Sequence, residues 1–389
     1  MSANTAENHH LSPGLTLVDS HCHLDFPDFA GELDAVVTRA QAAGIARIVT
    51  ISTRVNRHAE VLAIAERFAD VYCSVGTHPH HAHEELDIGV DELIGRDPHD
   101  VREIWQQLYY GKAHWIGRAG ATTMAQAAVD IALWDIIAKA AGRPLWQQLG
   151  GGRRSDIPVY NSHAGWLNYS IDQLKDEALR LLERGYSALK MKVGLADTHE
   201  DYRRVQAVRR AIGDDTVLMV DANQKWDLMQ ASFAARRFED LGLAWLEEPL
   251  HPDDIGAHCT LKERTSIPIA LGEHVYTSYA FRDYLDNGAV DVIQVDVCRV
   301  GGITPWLEVA AMAHAHGIRV CPHCGDLMQV HQHLVKAIPN SWYLEVIPLW
   351  DVGPFERQVR IADGKCLTPT DPGASTDLTA LALQTYRVS

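Results

Sequence analysis

The sequence predicts an α/β protein whose larger part is a barrel of eight parallel strands. Strand and helix patterns alternate repeatedly from residue 151 onward. Acidic and basic residues stand at the ends of successive predicted strands, about one βα unit apart. The chain has 389 residues, which is enough for a barrel of about 250 residues preceded by something smaller.

Composition narrows the classes of function. Lys and Arg number 35 against 51 Asp and Glu, a net charge of −16, and 47% of residues are hydrophobic, which is an ordinary globular composition. The acidic balance argues against nucleic acid as a partner. No apolar run approaches a membrane span, so no membrane partner is expected. The N-terminus lacks the basic and apolar regions of a secretory signal, so we expect a cytoplasmic protein.

The first 90 residues are predicted to contain two segments. Residues 1–14 are polar and end in Pro13-Gly14, which predicts a disordered lead. Residues 15–90 then read as strand, helix, strand, helix, strand, which is the start of a parallel sheet. The predicted strands are 15–24, 45–52 and 71–76, and the predicted helices are 29–43 and 58–68.

The rest of the chain is predicted to be a helical segment, 91–150, followed by the barrel, 151–389. Pro98 is well placed to open the first helix of this segment, and Gly142 and Pro144 end the second. In the barrel we place one chemically reactive or polar residue at each strand end. These are Ser162, Lys192, Asp221, Glu247, Glu273, Asp296, His323 and Glu345.

Three carboxylates at successive strand ends predict a metal site. One such carboxylate is most simply a helix cap or a surface ion-pair partner. Asp221, Glu247 and Glu273 instead converge on one barrel mouth, where like charges raise one another's pKa unless a cation neutralises them. Mg²⁺ accepts a few carboxylates and leaves positions open for substrate oxygens, so it is the predicted cofactor.

Candidate acids and bases surround these carboxylates. Lys190 and Lys192 alternate on one strand and so share a face, where each ammonium group is expected to lower the pKa of the other. Asp296 ends the strand before His323 and can orient its imidazole. Glu345, if protonated, could donate a hydrogen bond to a developing oxyanion. The sequence therefore predicts a proton-transfer site at the barrel mouth.

Residues of about 93–389 resemble the enolase superfamily, mandelate racemase subgroup. The resemblance implies a (β/α)7β-type TIM barrel preceded by the helical remnant of a capping domain. It implies that Asp221, Glu247 and Glu273 bind Mg²⁺, that Lys192 and the His323–Asp296 dyad are the acid/base groups, and that Glu345 supports the enediolate. The motifs that carry it are AVDIALWDIIAKAAGRPLWQQLGG, ALKMKVG, VDANQKW, WLEEPL, LGEH, VDVCRVGG and YLE.

Within that subgroup the segments EEPLHPDDIGAH, GEHVY and LTPTDPGAS look most like dehydratases of sugar acids of the fuconate, rhamnonate and lyxonate type. The implied reaction removes the α-proton and expels the β-hydroxyl, giving a 2-keto-3-deoxy sugar acid. We assign the base to Lys192 and the acid to His323, with the reverse assignment open. A racemase or epimerase would use the same pair. The expected partners are a small sugar acid and further copies of the chain in a homo-oligomer.

Residues 15–90 resemble the opening of TatD-type metal-dependent deoxyribonucleases, in the segments LVDSHCHLDFPDF and VGTHPHHAHEELDI. The resemblance implies that His21 and His23 would bind a divalent metal. The later ligands of that family have no counterpart before residue 90, so this piece is a truncated βαβαβ segment and we interpret both histidines as vestigial. The alternatives to the dehydratase are therefore a metal-dependent nuclease and a folded but inactive fusion.

Overall fold

The chain is described by a computed structural model over residues 17–76, 93–111, 114, 117–152, 156–347 and 353–386. Two compact units divide it, 1–96 and 97–389. The predicted lead, 1–14, lies outside the described residues. The four-part division that the sequence suggests stays a prediction.

The first unit is the predicted βαβαβ segment. Its strands pair in parallel in the order β1, β2, β3. Leu24, Val37, Ile48 and Val71 form its small core. Val18 is 51% exposed, so apolar surface of the sheet stays uncovered. The elements are β1 (Leu17–Cys22), α1 (Leu33–Ala42), β2 (Ile45–Thr50), α2 (His58–Arg67) and β3 (Val71–Cys73).

The second unit contains eight successive parallel strands, in agreement with the predicted barrel. They pair in sequence order from the first to the seventh, and the eighth pairs with the first. A parallel bridge between Val320 and Ser341 links the seventh strand to the segment before the eighth. The strands are β4 (Ile157–Asn161), β5 (Ala188–Lys192), β6 (Val217–Asp221), β7 (Leu243–Glu247), β8 (Ile269–Leu271), β9 (Val292–Ile293), β10 (Arg319–Val320) and β11 (Leu344–Val346).

Helices alternate with these strands, as the sequence predicts. Three helices precede the barrel, seven follow its strands, and one lies near the C-terminus. A short antiparallel pair, β12 (Ile361–Ala362) and β13 (Lys365–Cys366), extends the sheet beside β4. The helices are α3 (Val101–Tyr110), α4 (Ala121–Ala140), α5 (Leu145–Gln148), α6 (Ile171–Glu183), α7 (Thr198–Ile212), α8 (Leu228–Phe238), α9 (Ile255–Lys262), α10 (Ser278–Asp286), α11 (Ile303–Ala315), α12 (His331–Ala337) and α13 (Ala380–Tyr386).

Alternation along the strands decides which side chains enter the barrel. One set of buried strand residues forms a cluster separate from the main core, which consists of strand and helix residues packed together. Because strand side chains alternate, the next residues of this set toward the carboxyl ends are the polar ones of the site. The inner cluster contains Tyr160, Ala188, Met219, Trp245, Ala270, Val292 and Cys321.

The strand ends differ slightly from those predicted. The last hydrogen-bonded residues are Leu271, Ile293 and Val320, so Glu273 and Asp296 lie in the loops just beyond β8 and β9. The polar residues leave the ladder because their side chains, rather than their main chains, make the site. All seven cysteines are free thiols. No helix among the described residues is long and apolar enough to cross a membrane.

Helices α3 and α4 dock on the barrel through buried polar contacts. The indole of Trp105 donates to the carbonyl of Gly301 over 2.8 Å. Asp130 on α4 accepts hydrogen bonds from the amide (2.9 Å) and hydroxyl (2.7 Å) of Thr304. Gly302 permits this approach, since a Cβ there would lie 2.4 Å from an Asp130 oxygen. The carboxyl group thus caps the N-terminus of α11.

The stability of this docking is expected to depend on pH. Burial raises the pKa of Asp130 from 3.8 to about 7, against the hydrogen bonds from Thr304. The folded chain therefore keeps a proton that the unfolded chain releases, and stability falls as pH rises through this range. In Asp130→Asn this contribution is absent, so the difference in free energy of unfolding between wild type and variant should change by about 1 kcal/mol per pH unit.

Urea unfolding between pH 4.5 and 8 measures this difference. Asp172→Asn, which replaces an exposed carboxylate on α6, is the control and should follow the wild-type curve. Parallel curves for wild type and Asp130→Asn would contradict the prediction.

Candidate active site

Three predicted site residues are lateral neighbours in the sheet. Lys192 on β5 pairs in register with Asp221 on β6, which pairs with Glu247 on β7. Neighbouring strand residues in register point to the same side, and this is the side of the inner cluster. Asp221 and Glu247 are almost fully buried. The sheet register thus brings a base and two carboxylates together.

The two lysines neutralise these carboxylates. The amine of Lys192 lies 2.5 Å from Asp221 Oδ2, and the amine of Lys190 pairs closely with Glu247. Glu247 Oε2 also accepts hydrogen bonds from the Trp245 indole at 3.0 Å and from Gln294 at 2.6 Å. Glu247 is therefore fixed from several directions.

The predicted lowering of the lysine pKa values is wrong. Burial lowers the pKa of Lys192, and Lys190 also lowers it, but the charge of Asp221 outweighs both and the pKa lies above its usual value. The pKa of Lys190 is likewise raised, because Glu247 and Glu345 outweigh its burial. The sequence showed the adjacent like charges, and the tertiary structure supplies the closer opposite ones.

Glu273 occupies the loop after β8. Its carboxylate lies 3.3 Å from His323 Nε2, 3.3 Å from His274 Nδ1 and 3.7 Å from Arg299. Burial raises the pKa of Glu273, and Glu248 adds to this, although His323 opposes it. This carboxylate is held by groups other than the two lysines.

The predicted ligand set fits a divalent cation by its chemistry. Burial, with the charge of Glu247, raises the pKa of Asp221 to about 6 in spite of two adjacent lysines. A cation would remove this repulsion, and carboxylate oxygens are the donors that Mg²⁺ prefers. The oxygens of Asp221 and Glu247 now face lysines. The described residues whose candidate ligand atoms lie within 4.8 Å of one another at this end of the barrel are Glu248, Glu273 and His274.

His323 and Asp296 form the predicted dyad. His323 Nδ1 lies 2.6 Å from Asp296 Oδ2. The same carboxylate accepts main-chain hydrogen bonds from Gly325 at 3.0 Å and Cys298 at 2.7 Å. Burial lowers the pKa of His323, but Asp296 and the nearby glutamates outweigh it and raise the pKa to about 9. The imidazole is therefore held as an oriented proton donor.

Glu345 lies deeper in the barrel and is ionised. Its carboxylate contacts Lys190 at 2.9 Å and accepts a hydrogen bond from the amide of Cys324 at 3.2 Å. Burial raises the pKa of Glu345, but Lys190 and His323 outweigh it and hold the pKa below its usual value. The expectation of a protonated Glu345 is therefore wrong, and its contact with Lys190 indicates a supporting place below the mouth.

Strand order places the base and the dyad on opposite sides. Lys192 ends β5 and His323 follows β10, and four strands, β6 to β9, separate them in the sheet. Asp221, Glu247 and Glu273 belong to the strands in between. A substrate bound at these carboxylates therefore meets Lys192 on one side and His323 on the other.

Sequence reasoning missed three residues beside the carboxylates. Glu248 accepts hydrogen bonds from Gln224 at 2.9 Å and lies 2.9 Å from His274 Nδ1. Gln224 and Glu248 both have positive φ, 63° and 40°, a strained conformation for such residues that occurs most often at functional sites. All three stand in motifs quoted above, VDANQKW, WLEEPL and LGEH, so their proximity to Glu273 was the missing signal.

The predicted histidine pair of the first unit is close but incomplete. The rings of His21 and His23 are 5.1 Å apart, and His23 Nδ1 lies 3.0 Å from the carbonyl of Ile51. Neither belongs to a group of three or more candidate metal ligands among the described residues. The geometry gives this pair two ligands where a retained metal needs more.

The fold and this arrangement define an enzyme of the enolase superfamily. Residues 173–382 match the family model for the enolase C-terminal domain-like family. The chain belongs to this family and to its mandelate racemase subgroup. Residues 18–131 match the model for TatD related DNase, a longer stretch than the resemblance in the sequence suggested.

Named relatives are similar over most of the chain. L-talarate/galactarate dehydratase of Salmonella typhimurium is 41% identical over 276 residues, 71% of this chain and 68% of the relative. A crystal structure of L-talarate dehydratase from Polaromonas sp. JS666, complexed with Mg and L-glucarate, has a TM-score of 0.74 and 37% identity, covering 81% of this chain and 87% of the other. A racemase from Streptomyces coelicolor with bound magnesium has a TM-score of 0.70 and 34% identity, covering 76% and 82%.

Proposed function

We propose that this protein is a hydro-lyase that dehydrates a sugar acid to a 2-keto-3-deoxy acid. The observation that carries the proposal is the placement of Lys192 opposite the His323–Asp296 dyad, with three carboxylates on the strands between them. A dehydration needs one group that removes the α-proton and another that protonates the departing β-hydroxyl. The dehydratases among the relatives support this choice over racemisation.

In this reaction Lys192 takes the α-proton and His323 gives its proton to the hydroxyl, which leaves as water. Lys192 can act only after losing its own proton, so its ion pair with Asp221 has to be broken first. Asp296 keeps His323 protonated and oriented through the 2.6 Å contact. Lys190 holds Glu247 and Glu345 in place.

Asp221, Glu247 and Glu273 are the residues that we propose as Mg²⁺ ligands. When bound, the ion stabilises negative charge that develops on the substrate carboxylate as the α-proton leaves. Glu248, His274 and Gln224 surround Glu273 and limit the positions that its carboxylate can take.

A substrate panel tests the proposal. Purified protein with Mg²⁺ should form 2-keto-3-deoxy product from at least one acid in a panel of fuconate, rhamnonate, lyxonate, galactarate, talarate and glucarate, assayed by semicarbazide and mass spectrometry. The matched control is His323→Asn, which should form none. α-Proton exchange without loss of water would instead identify a racemase or epimerase. Neither exchange nor product from any acid would overturn the proposal.

The same preparations test the nuclease alternative. With only His21 and His23 at the front site, we expect no metal-dependent DNA hydrolysis. The double variant His21→Ala, His23→Ala is the control for contaminating nuclease. Hydrolysis by wild type that this variant lacks would show that the first unit is active.

A further inference from the structure

Two buried residues of α7 contact the loops on either side of Lys192. Asp201 is fully buried, and its Oδ2 accepts the amide hydrogens of Gly194 and Leu195, both at 3.0 Å. These amides belong to the loop that directly follows Lys192. Asp201 therefore fixes the course of the chain as it leaves β5.

Arg204, one turn along the same helix, holds the loop after β4. Its guanidinium donates to the carbonyls of Trp166 at 2.9 Å and Tyr169 at 2.5 Å. This loop touches Lys192 twice. The amide of Lys192 donates to the carbonyl of Gly165 at 2.8 Å, and the amine of Lys192 lies 5.9 Å from the centre of the Trp166 ring.

Both loops have little freedom to compensate if α7 releases them. A Cβ on Gly165 would lie 2.3 Å from Leu174, and one on Gly194, where φ is 107°, would lie 2.8 Å from Lys225. The loops are therefore packed too closely to shift inward. Small displacements of a proton-transfer group cost large factors in rate, so the contacts of Asp201 and Arg204 reach the chemistry through Lys192.

We propose that Asp201 and Arg204 are positioning residues that set the place of the Lys192 amine by fixing the loops after β5 and β4. The inference rests on the proposed role of Lys192 as the base. Asp201 acts through the main chain next to Lys192. Arg204 acts through Gly165 and Trp166, which contact the main chain and the amine of Lys192 from the other side.

The same helix supplies a matched control. Arg209, near the C-terminal end of α7, is also buried and also donates to main-chain carbonyls, those of Leu241, Gly213, Thr216 and Gly242. These carbonyls lie before β6 and β7, at the end of the barrel away from the site. Arg209→Met therefore removes a comparable set of hydrogen bonds without touching the loops beside Lys192.

The kinetic test compares Asp201→Ala, Arg204→Met and Arg209→Met on the sugar acid that wild type turns over. The first two should lose about 10- to 100-fold in kcat with little change in KM, because the base and not the binding groups is displaced. Asp201→Asn should recover most of the activity, since its amide oxygen can accept the same two hydrogens. Arg209→Met should lower Tm and leave kcat unchanged.

A second measurement needs no substrate. Competitive acetylation at one fixed pH, followed by mass spectrometry, reports the labelling rate of Lys192 against the exposed Lys175 in the same molecule. Asp201→Ala and Arg204→Met should change the Lys192 rate, and Arg209→Met should not. Unchanged labelling in both variants, or kcat losses no larger than that of Arg209→Met, would overturn the inference. If wild type turns over no sugar acid, the proposed function fails while the labelling result still decides the positioning role.

Discussion

Lys192→Ala is expected to stop exchange of the substrate α-proton with deuterated solvent and to lower kcat for dehydration at least about 100-fold, the usual contribution of a positioned general base. The amine lies at the mouth, beside Asp221 and below Trp166, and no other lysine among the described residues is placed to reach the same side of a substrate bound at the carboxylates. Because Lys192 is not fully buried, its loss should leave the fold intact. Proton NMR in deuterium oxide measures the exchange.

Two variants make this result specific. Lys175→Ala removes an amine from the outer surface of α6, where it pairs with Asp172, and should exchange and dehydrate at the wild-type rate. His323→Asn should allow exchange and block loss of water, because proton removal and leaving-group protonation are then separate steps. If Lys192→Ala exchanges normally and His323→Asn does not, the two roles are interchanged.

Asp221→Asn, Glu247→Gln and Glu273→Gln are each expected to lose the thermal stabilisation that Mg²⁺ gives the wild type. A ligand that binds only the folded chain adds about 2.7 kcal/mol at 100 times its Kd. Replacing one carboxylate removes a charged donor from the site and should abolish this increment at the same ion concentration. Thermal unfolding with and without Mg²⁺ measures it.

Glu345→Gln is the matched control for these variants. Glu345 shares with Glu247 the contact to the buried Lys190, so its replacement also leaves that amine short of a partner and should lower the basal Tm. Because Glu345 is not a proposed ligand, the increment due to Mg²⁺ should survive. Retention of the full increment in all three carboxylate variants would reject the proposed ligand set.

The sequence by itself determined the fold class and the residue types of the site. Alternation with period two and the spacing of one βα unit place Lys192, Asp221 and Glu247 on one face of adjacent strands, and their register confirms that arrangement. The same reasoning paired His323 with Asp296, because consecutive strands of a parallel barrel end at the same mouth. These features follow from local periodicity, which is present in the sequence.

Only the tertiary structure decided how the charges are balanced. It pairs Lys190 with Glu247 and Glu345, which raises the lysine pKa values and keeps Glu345 ionised, where the sequence predicted the reverse. It also brings Asp201 and Arg204 of α7 to the loops beside Lys192. Electrostatic energies depend on distances of a few ångströms and on burial, and neither quantity can be read from the order of residues along a chain.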